Sequence, residues 1–456
     1  MMQNHDLETI VAQCTPIGKG AIALIRVSGI DSVDIVSRVS LLPGKKSLMA
    51  LPSHSIHYGT IVDTEHRLID QVMFFLMRAP KTFTGQDTVE ITCHNNQFIV
   101  QAIIDRLVFV GARMAQEGEF SKRAVLNGKM DLLQAESINE LIHAHTMQGL
   151  KKTLAQLEGS FSHAIAQIEH AILKAMALCE ASFEFIDEEM TFDAQISGIV
   201  ATTLGSIADI KRSFDQQQRI RDGIRIALIG SVNTGKSSLF NALLHKKRSI
   251  VTSIAGTTRD AIEAGMYRND QYWTLIDTAG LRETDDVIEQ EGIGISFRHA
   301  ACSDVILLIL DGARVVSDKE QVVIDELYST YNDKIITVCN KSDLLSEFER
   351  KSKNILFVST KTEENIDLLE KKIEEKVAEL CAQANAPFLL NMRQFNVLSS
   401  LEKKLMIVQA MVSREIAYEL VSCHLNDALA CLSELTGKTV SEQVLNTIFK
   451  EFCIGK

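Results

Sequence analysis

Nowhere does the sequence hold an uninterrupted apolar run approaching the ~20 residues that span a bilayer, and its N-terminus has no signal-peptide pattern. A cytoplasmic location is the expectation. No C-x-x-C pair occurs, and the nine cysteines, an odd number, are scattered from Cys14 to Cys453. Neither a disulfide framework nor a zinc site is therefore suggested, and most of the thiols are expected to be small buried apolar groups. Positive charge is in deficit: 47 Lys and Arg stand against 59 Asp and Glu, a net charge of −12. That argues against a broad nucleic-acid-coating surface but leaves room for a local basic patch or a basic partner. With 456 residues, the chain is long enough for about three domains of ordinary size.

The most informative stretch runs from Arg225 to Phe240. The apolar residues Ile226 to Ile229 read as a buried strand, broken at Gly230 by a loop whose far end, from Lys236, has helix-forming character. Gly230 and Gly235 bracket four residues in the pattern G-x-x-x-x-G-K-S/T. Glycine there lets backbone N–H groups turn inward on an anion with no Cβ in the way. The helix start adds unpaired donors and partial positive charge. Asn233, Thr234, Gly235, Lys236, Ser237 and Ser238 are candidate nucleotide contacts, with Lys236 reaching the β- and γ-phosphates and Ser237 ligating Mg²⁺.

Three further segments each follow a short apolar strand, where open α/β sheets place their ligand-binding loops. Asp277-Thr278-Ala279-Gly280 follows Trp273 to Ile276, with Asp277 suited to hold Mg²⁺ through water and the Gly280 amide to sense the γ-phosphate. Asn340-Lys341-Ser342-Asp343 follows Ile335 to Cys339. A carboxylate such as Asp343 accepts two hydrogen bonds from guanine N1–H and its 2-amino group, whereas adenine offers no donor in either place. Guanine is the expected base. Ser359-Thr360-Lys361 follows Ile355 to Val358 as a further base-contacting loop. Together these segments predict a GTP-binding domain.

Residues 7 to 110 alternate short apolar runs with turn signals and read as an α+β domain with a mixed or antiparallel sheet. From about 130 to 215 the chain is rich in alanine and leucine. Leu150, Leu154, Leu157, Phe161, Ile165, Ile168, Ile172, Met176 and Cys179 recur at helical spacing as one stripe. Leu398, Leu401, Leu405, Val408 and Val412 repeat that spacing after residue 390, so one helical bundle built from both sides of the GTP domain is expected. The expected architecture is multidomain α/β and α: an N-terminal α+β domain (1–121), a split helical bundle (122–219 and 382–456) and an inserted Ras-like P-loop GTPase α/β domain (220–381). Gly223 and the stretch from Ala382 to Pro387 are the candidate hinges.

This order resembles the bacterial MnmE (TrmE) family of tRNA modification GTPases, related to the Era-like GTPases. The resemblance rests on Asp6 to Ser28, Thr82-Phe83-Thr84-Gly85-Gln86-Asp87, Gly118-Glu119-Phe120-Ser121, Asn127 to Leu132, the GTP motifs and the ending Phe452-Cys453-Ile454-Gly455-Lys456. It implies a homodimer that works with an FAD-containing partner, MnmG, to install an aminomethyl or carboxymethylaminomethyl group at C5 of the wobble uridine of certain tRNAs. A tetrahydrofolate one-carbon derivative would be used, with Arg26, Glu90, Lys129 and Lys456 as its contacts and Cys453 as a candidate catalytic thiol. Physically, Glu90 could accept from an amino-pyrimidine edge while Arg26 or the lysines meet carboxylates. The ending also stands where a prenylation box would, but neither glycine nor lysine suits one.

The resemblance also accounts for an oddity. Leu281 follows Asp277-Thr278-Ala279-Gly280 where Ras-like proteins carry the glutamine that positions water, so the catalytic group comes from elsewhere. The family implies a bound K⁺, held by Asn233 with Thr252, Ile254 and Thr257 of Thr252-Ser253-Ile254-Ala255-Gly256-Thr257-Thr258. Thr258 would complete the Mg²⁺ shell, the loop as a whole would contact GTP, and Glu289 would orient the attacking water. Three positions depart from the family pattern: Val232 replaces a P-loop proline, Asn95-Asn96 replace two glycines after His94, and Ile186 replaces a proline before Asp187-Glu188-Glu189. An alternative reading is a regulatory GTPase in ribosome assembly, which would need neither the folate motifs nor the Cys453 to Lys456 ending.

Overall fold

A computed structural model of the chain describes residues 8–18, 20–184, 192–212, 214, 219, 223–245, 262–268, 271–277, 297–345, 355–381, 388–414 and 416–455. These fall into two compact units. One is drawn from within Met1–Ile142, Leu154–Ile207 and Asn396–Lys456, the other from within His143–Thr153 and Ala208–Phe395. No described helix is long and apolar enough to cross a membrane.

The first unit holds a seven-stranded sheet and a set of helices. Its strands are β1 (Ile10–Gln13), β2 (Ile22–Ser28), β3 (Ser40–Leu41), β4 (Ser55–Val62), β5 (Leu68–Met77), β6 (Thr88–His94) and β7 (Arg113–Met114), in the order β3-β4-β5-β6-β2-β1-β7. Neighbours are antiparallel except β1 and β7, so the sheet is mixed. Strand alternation sends Val72, Phe74 and Leu76 to one face with Ile25, Val27, Val89 and Ile91. There they meet Val33, Ile35 and Val36 of α1 (Ser32–Val39) and Val100, Ile103 and Leu107 of α2 (Gln97–Phe109). Each such side chain, fully buried, contributes about 1.5–3 kcal/mol.

The chain continues through α3 (Glu119–Leu126), α4 (Leu132–Ile142), α5 (Met147–Leu157), α6 (Ser160–Glu184) and α7 (Asp193–Lys211). On α6 most of the expected stripe is present: Phe161, Ile165, Ile168, Ile172 and Cys179 are buried and Met176 is half-buried. On α5 it is not, because Leu150 is 37% and Leu154 46% exposed while Gly149, Thr153 and Gln156 face inward. The spacing runs unbroken through the sequence, but α5 stops at Leu157 and the chain turns through Gly159, which has a φ of 98°, and the phase of the stripe is lost there.

The second unit has strands β8 (Ile224–Ile229), β9 (Ile262–Arg268), β10 (Gln271–Asp277), β11 (Val305–Asp311), β12 (Ile335–Asn340) and β13 (Ile355–Phe357), with α8 (Lys236–His245), α9 (Asp318–Tyr331) and α10 (Ile366–Cys381). The sheet order is β13-β12-β11-β8-β10-β9, parallel except for β9 at the edge. Central strands of such sheets are buried on both faces and read as continuous apolar runs. On β8, Ile226 and Leu228 join one core while Ala227 and Ile229 join the other. Gly223, with φ of 82°, precedes this strand, and a Cβ there would lie 2.4 Å from the Tyr272 carbonyl oxygen.

Helices α11 (Met392–Val412), α12 (Tyr418–Thr436) and α13 (Glu442–Phe449) complete the chain. Leu398, Leu401, Leu405, Val408 and Val412 are all buried, as their spacing predicts. In the first unit, Gln409 Nε2 donates to Ser197 Oγ at 2.6 Å and Tyr418 Oη to Asp193 Oδ1 at 3.0 Å, tying the late helices to α7. Chain segments more than two hundred residues apart thus share one bundle. The described cysteines are free thiols. Cys93, Cys179, Cys339 and Cys431 are buried, whereas Cys302, Cys423 and Cys453 are exposed, so the expectation that most are buried is too broad.

Candidate functional site

Three of the motif-bearing loops extend from the C-terminal ends of parallel strands in one sheet, and Asp277 ends a fourth strand, β10. The phosphate loop leaves β8 and enters α8 at Lys236, bending through Asn233 (φ 63°) and Gly235 (φ 90°). Gly230 is needed because a Cβ would lie 2.4 Å from the Ile309 carbonyl oxygen, and Gly235 because one would lie 2.2 Å from Asn340 Nδ2. Lys236 is only 7% exposed, and its Nζ donates to the carbonyls of Gly230 at 2.8 Å and Ser231 at 2.7 Å. Burial pushes this ammonium's pKa down, against the opposing charge of Asp277 at the end of β10. Ser237 and Ser238, in the first turn of α8, are exposed.

Asn340 is the joint between the loops. Its Nδ2 donates to the Thr234 carbonyl at 2.9 Å, and its Oδ1 accepts from the Thr360 amide at 3.2 Å. The next residue, Lys341, sits at φ 63° and donates to Asp311 Oδ2 at 2.7 Å. Burial raises the Asp311 pKa, but bonds from Lys341 and the Ala313 amide, with the charges of Lys341 and Arg314, hold it below the usual carboxylate range. Asp343 is held by Ser359, whose Oγ donates to Asp343 Oδ1 at 2.7 Å. Ser342 Oγ donates to Glu364 Oε2 at 3.2 Å. The structure therefore brings together Asn233 to Ser238, Asp277, Asn340 to Asp343 and Ser359 to Thr360, with Lys361 following in the same loop. Thr252, Ser253, Ile254, Ala255, Gly256, Thr257, Thr258, Thr278, Ala279, Gly280 and Glu289 lie outside the described residues.

The other candidate residues gather in the first unit. Cross-strand register places Arg26 of β2 opposite Glu90 of β6, and Arg26 Nε and Nη2 both reach Glu90 Oε1 at 2.8 Å. The guanidinium carbon lies 5.4 Å from the Phe83 ring centre and 5.5 Å from that of Phe120, both within cation–π range. Arg26 and Glu90 thus satisfy each other rather than standing apart as separate anchors. Lys129 is exposed on the surface and donates to the Pro80 carbonyl at 2.9 Å.

The C-terminal segment joins this region. Glu117 and Ile454 form an antiparallel bridge, and the Gly118 amide donates to the Cys453 carbonyl at 3.4 Å. Gly455 has φ of 93°, and a Cβ on it would lie 2.5 Å from the Gln13 carbonyl oxygen. Cys14 Sγ donates to the Gly455 carbonyl at 3.1 Å. Cys453 is exposed, and Lys456 lies outside the described residues. Sequence reasoning missed Cys14 as a contact of the tail and the aromatic cradle of Arg26. Phe83 and Phe120 carried a signal, since both lie inside segments that carry the family resemblance, but nothing local assigns them to Arg26.

Comparison with known proteins covers nearly the whole chain. The family described as GTP-binding protein TrmE N-terminus matches residues 9–129, and that described as MnmE helical domain matches 132–453. The tRNA modification GTPase MnmE of Bacillus cytotoxicus is 36% identical over 99% of this chain and 100% of its own length. That of Lachnoclostridium phytofermentans is 34% identical over 98% of this chain and 99% of its own. Among solved structures, a single-substitution variant of Aquifex aeolicus Era bound to GDP·AlF4⁻ aligns with a TM-score of 0.28 at 25% identity, over 40% of this chain and 67% of that one.

Proposed function

The chain belongs to the MnmE (TrmE) family, and from that premise we propose that it hydrolyses GTP in the service of tRNA modification. The observation that carries the GTP reading is the Asn340 amide, which bonds the phosphate loop on one side and the Ser359-Thr360 loop on the other. It sets the guanine-reading Asp343 at a fixed station relative to the phosphate-binding amides. Bound GTP would draw Lys236 from the Gly230 and Ser231 carbonyls toward its phosphates, while Asp343 accepts from the base.

Ser237, exposed in the first turn of α8, and Thr258 would hold Mg²⁺, which when bound supplies charge neutralisation on the phosphates. Asn233 is exposed at the turn of the loop, open to a monovalent cation. With Thr252, Ile254 and Thr257 it would hold K⁺, and Glu289 would orient water. Hydrolysis is then K⁺-dependent.

The finer reading is that the chain acts as a homodimer with the FAD-containing MnmG to modify C5 of the wobble uridine. Its parts are an N-terminal folate-binding domain (1–121), a split helical domain (122–219 and 382–456) and an inserted GTPase domain (220–381). Arg26, Glu90, Lys129 and Lys456 would receive the tetrahydrofolate one-carbon derivative, with Cys453 beside it. Glu90 suits this role because Arg26 fixes one carboxylate oxygen, Oε1, leaving Oε2 without a hydrogen bond among the described residues to accept from an amino-pyrimidine edge.

The test is mass spectrometry of nucleosides from unmodified tRNA incubated with this protein, MnmG, GTP, Mg²⁺, K⁺, methylene-tetrahydrofolate, ammonium or glycine, NADH and FAD. A modified wobble uridine that vanishes when Na⁺ replaces K⁺ is expected. Brisk GTP hydrolysis with no modification would favour a regulatory GTPase instead.

A further inference from the structure

We propose that Asp311, at the C-terminal end of β11, is a positioning residue for guanine recognition, acting through Lys341 on the turn that carries Asp343. This rests on the reading of Asp343 as the group that accepts from the base. Parallel register sets Asp311 beside Asn340, so Lys341 is the first residue past the end of β12. The two strand ends are tied closely there. The Gly312 amide donates to the Asn340 carbonyl at 2.9 Å, and a Cβ on Gly312 would lie 2.9 Å from the same oxygen.

The Asp311 carboxylate is fixed through both oxygens. Oδ1 accepts from the Ala313 amide at 2.9 Å, a turn closed on the aspartate's own side chain. Oδ2 accepts from Lys341 Nζ at 2.7 Å, with Arg314 Nε farther off at 4.0 Å. The aspartate side chain is 7% exposed and that of Lys341 33%. The ammonium therefore has water as an alternative partner, and the pair is not needed to satisfy it. What the pair fixes is the place of the lysine.

That place matters because of the backbone. Lys341 has φ of 63° and ψ of 35°, a left-handed conformation that a residue with a Cβ enters at a cost and that glycine would occupy more easily. Its carbonyl accepts from the Leu344 amide at 3.0 Å, opening the single turn Ser342–Leu344 with Asp343 at its middle. The conformation of Lys341 thus sets the direction in which the chain leaves β12 toward Asp343. Anchoring the lysine at Asp311 holds that direction, while Ser359 Oγ fixes the Asp343 carboxylate itself at 2.7 Å. One contact aims the backbone and the other the side chain.

The test is steady-state GTP hydrolysis by the full chain. Asp311→Asn keeps the shape and removes the charge. Its KM for GTP is expected to rise about tenfold (about 1.4 kcal/mol) with kcat within about twofold, because the phosphate side of the site is untouched. A merely structural role would lower kcat through loss of folded protein and leave KM alone. Lys341→Met removes the same ion pair from its exposed end and should raise KM by at least as much. The double variant Asp311→Asn/Lys341→Met should match Lys341→Met within about twofold, as residues that act as a unit do. The proposal is overturned by an unchanged KM in Asp311→Asn, by a fall in kcat alone, or by a double variant whose loss is the product of the two single losses. Should Asp311→Asn not fold, an unchanged KM in Lys341→Met overturns it. An ordinary KM for GTP in Asp343→Ala would instead overturn the reading of the base site itself.

Discussion

The two candidate sites are assembled in opposite ways. The nucleotide site hangs from strand ends of one sheet that is parallel except at its β9 edge, and each motif is a run of neighbours in sequence, with the Asn340 side chain stitching the runs together. The Arg26–Glu90 region is assembled from distant pieces: the pair itself spans 64 residues, and the bond from Cys14 to Gly455 spans 441. The first site is a set of loops on a rigid platform. The second depends on the end of the chain finding its seat, and most of that seat is backbone.

The contrast is broken most sharply by removing one group from each site. Lys236→Ala deletes the buried ammonium and should weaken GTP binding by more than ~100-fold, on the scale of about 3 kcal/mol for a lost charge-assisted contact. Isothermal titration with GTP checks it, and unchanged affinity would sink the phosphate-loop assignment. Folate binding should be untouched. Gly455→Ala does the reverse. Its Cβ would meet the Gln13 carbonyl oxygen at 2.5 Å and the Cys14 Cα at 2.9 Å, at a φ of 93°, a conformation side chains avoid. The tail should leave its seat, lowering folate affinity at least ~10-fold on the scale of about 1–3 kcal/mol of strain, with the GTP hydrolysis rate within about twofold. A tail variant that stops GTP hydrolysis would show that the two sites are not independent.

Legibility in the sequence follows the same division. Gly230, Gly235, Lys236 and Asn340 could be read because phosphate and base recognition impose their order on a short stretch, and the apolar strand before each motif fixes where it sits. The sheet of the first unit was readable from its alternation and the α6 and α11 stripes from their spacing. The α5 stripe misled, since Leu150 and Leu154 keep the period of Phe161 and Ile165 but lie before the helix break at Gly159. Nothing local marks Phe83 and Phe120 as flanks of Arg26, or Cys14 as a partner of Gly455. Those contacts are tertiary, and a sequence carries only their residues.

A middle-sized effect sharpens the nucleotide side. Ser359 is fully buried and its hydroxyl holds one oxygen of Asp343 at 2.7 Å. Ser359→Ala leaves the carboxylate free to rotate, and guanine nucleotide affinity should fall roughly 5–10-fold, about 1–1.4 kcal/mol for one hydrogen bond to a charged group. Titration with GDP and with inosine diphosphate, which lacks the 2-amino group, reads the cause. If the variant loses affinity for both by the same factor, Asp343 is being positioned; a loss confined to GDP would mean that only the second base contact is affected.

The smallest expected effect bears most directly on how the tail is held. Cys14 offers a thiol to the Gly455 carbonyl at 3.1 Å, and a thiol is a weak donor. The neighbouring contacts, the Glu117–Ile454 bridge and the Gly118 amide on the Cys453 carbonyl, are made by backbone. Cys14→Ala should therefore cost about 0.5 kcal/mol, seen as a rise of about twofold in the KM for the proposed folate substrate with kcat unchanged. A tenfold or greater loss would place the seat's strength in a side chain, as at Asn340, and the tail would then be clasped rather than slotted. A twofold change leaves the backbone slot, closed by Gly455, as what holds the end of the chain beside Arg26.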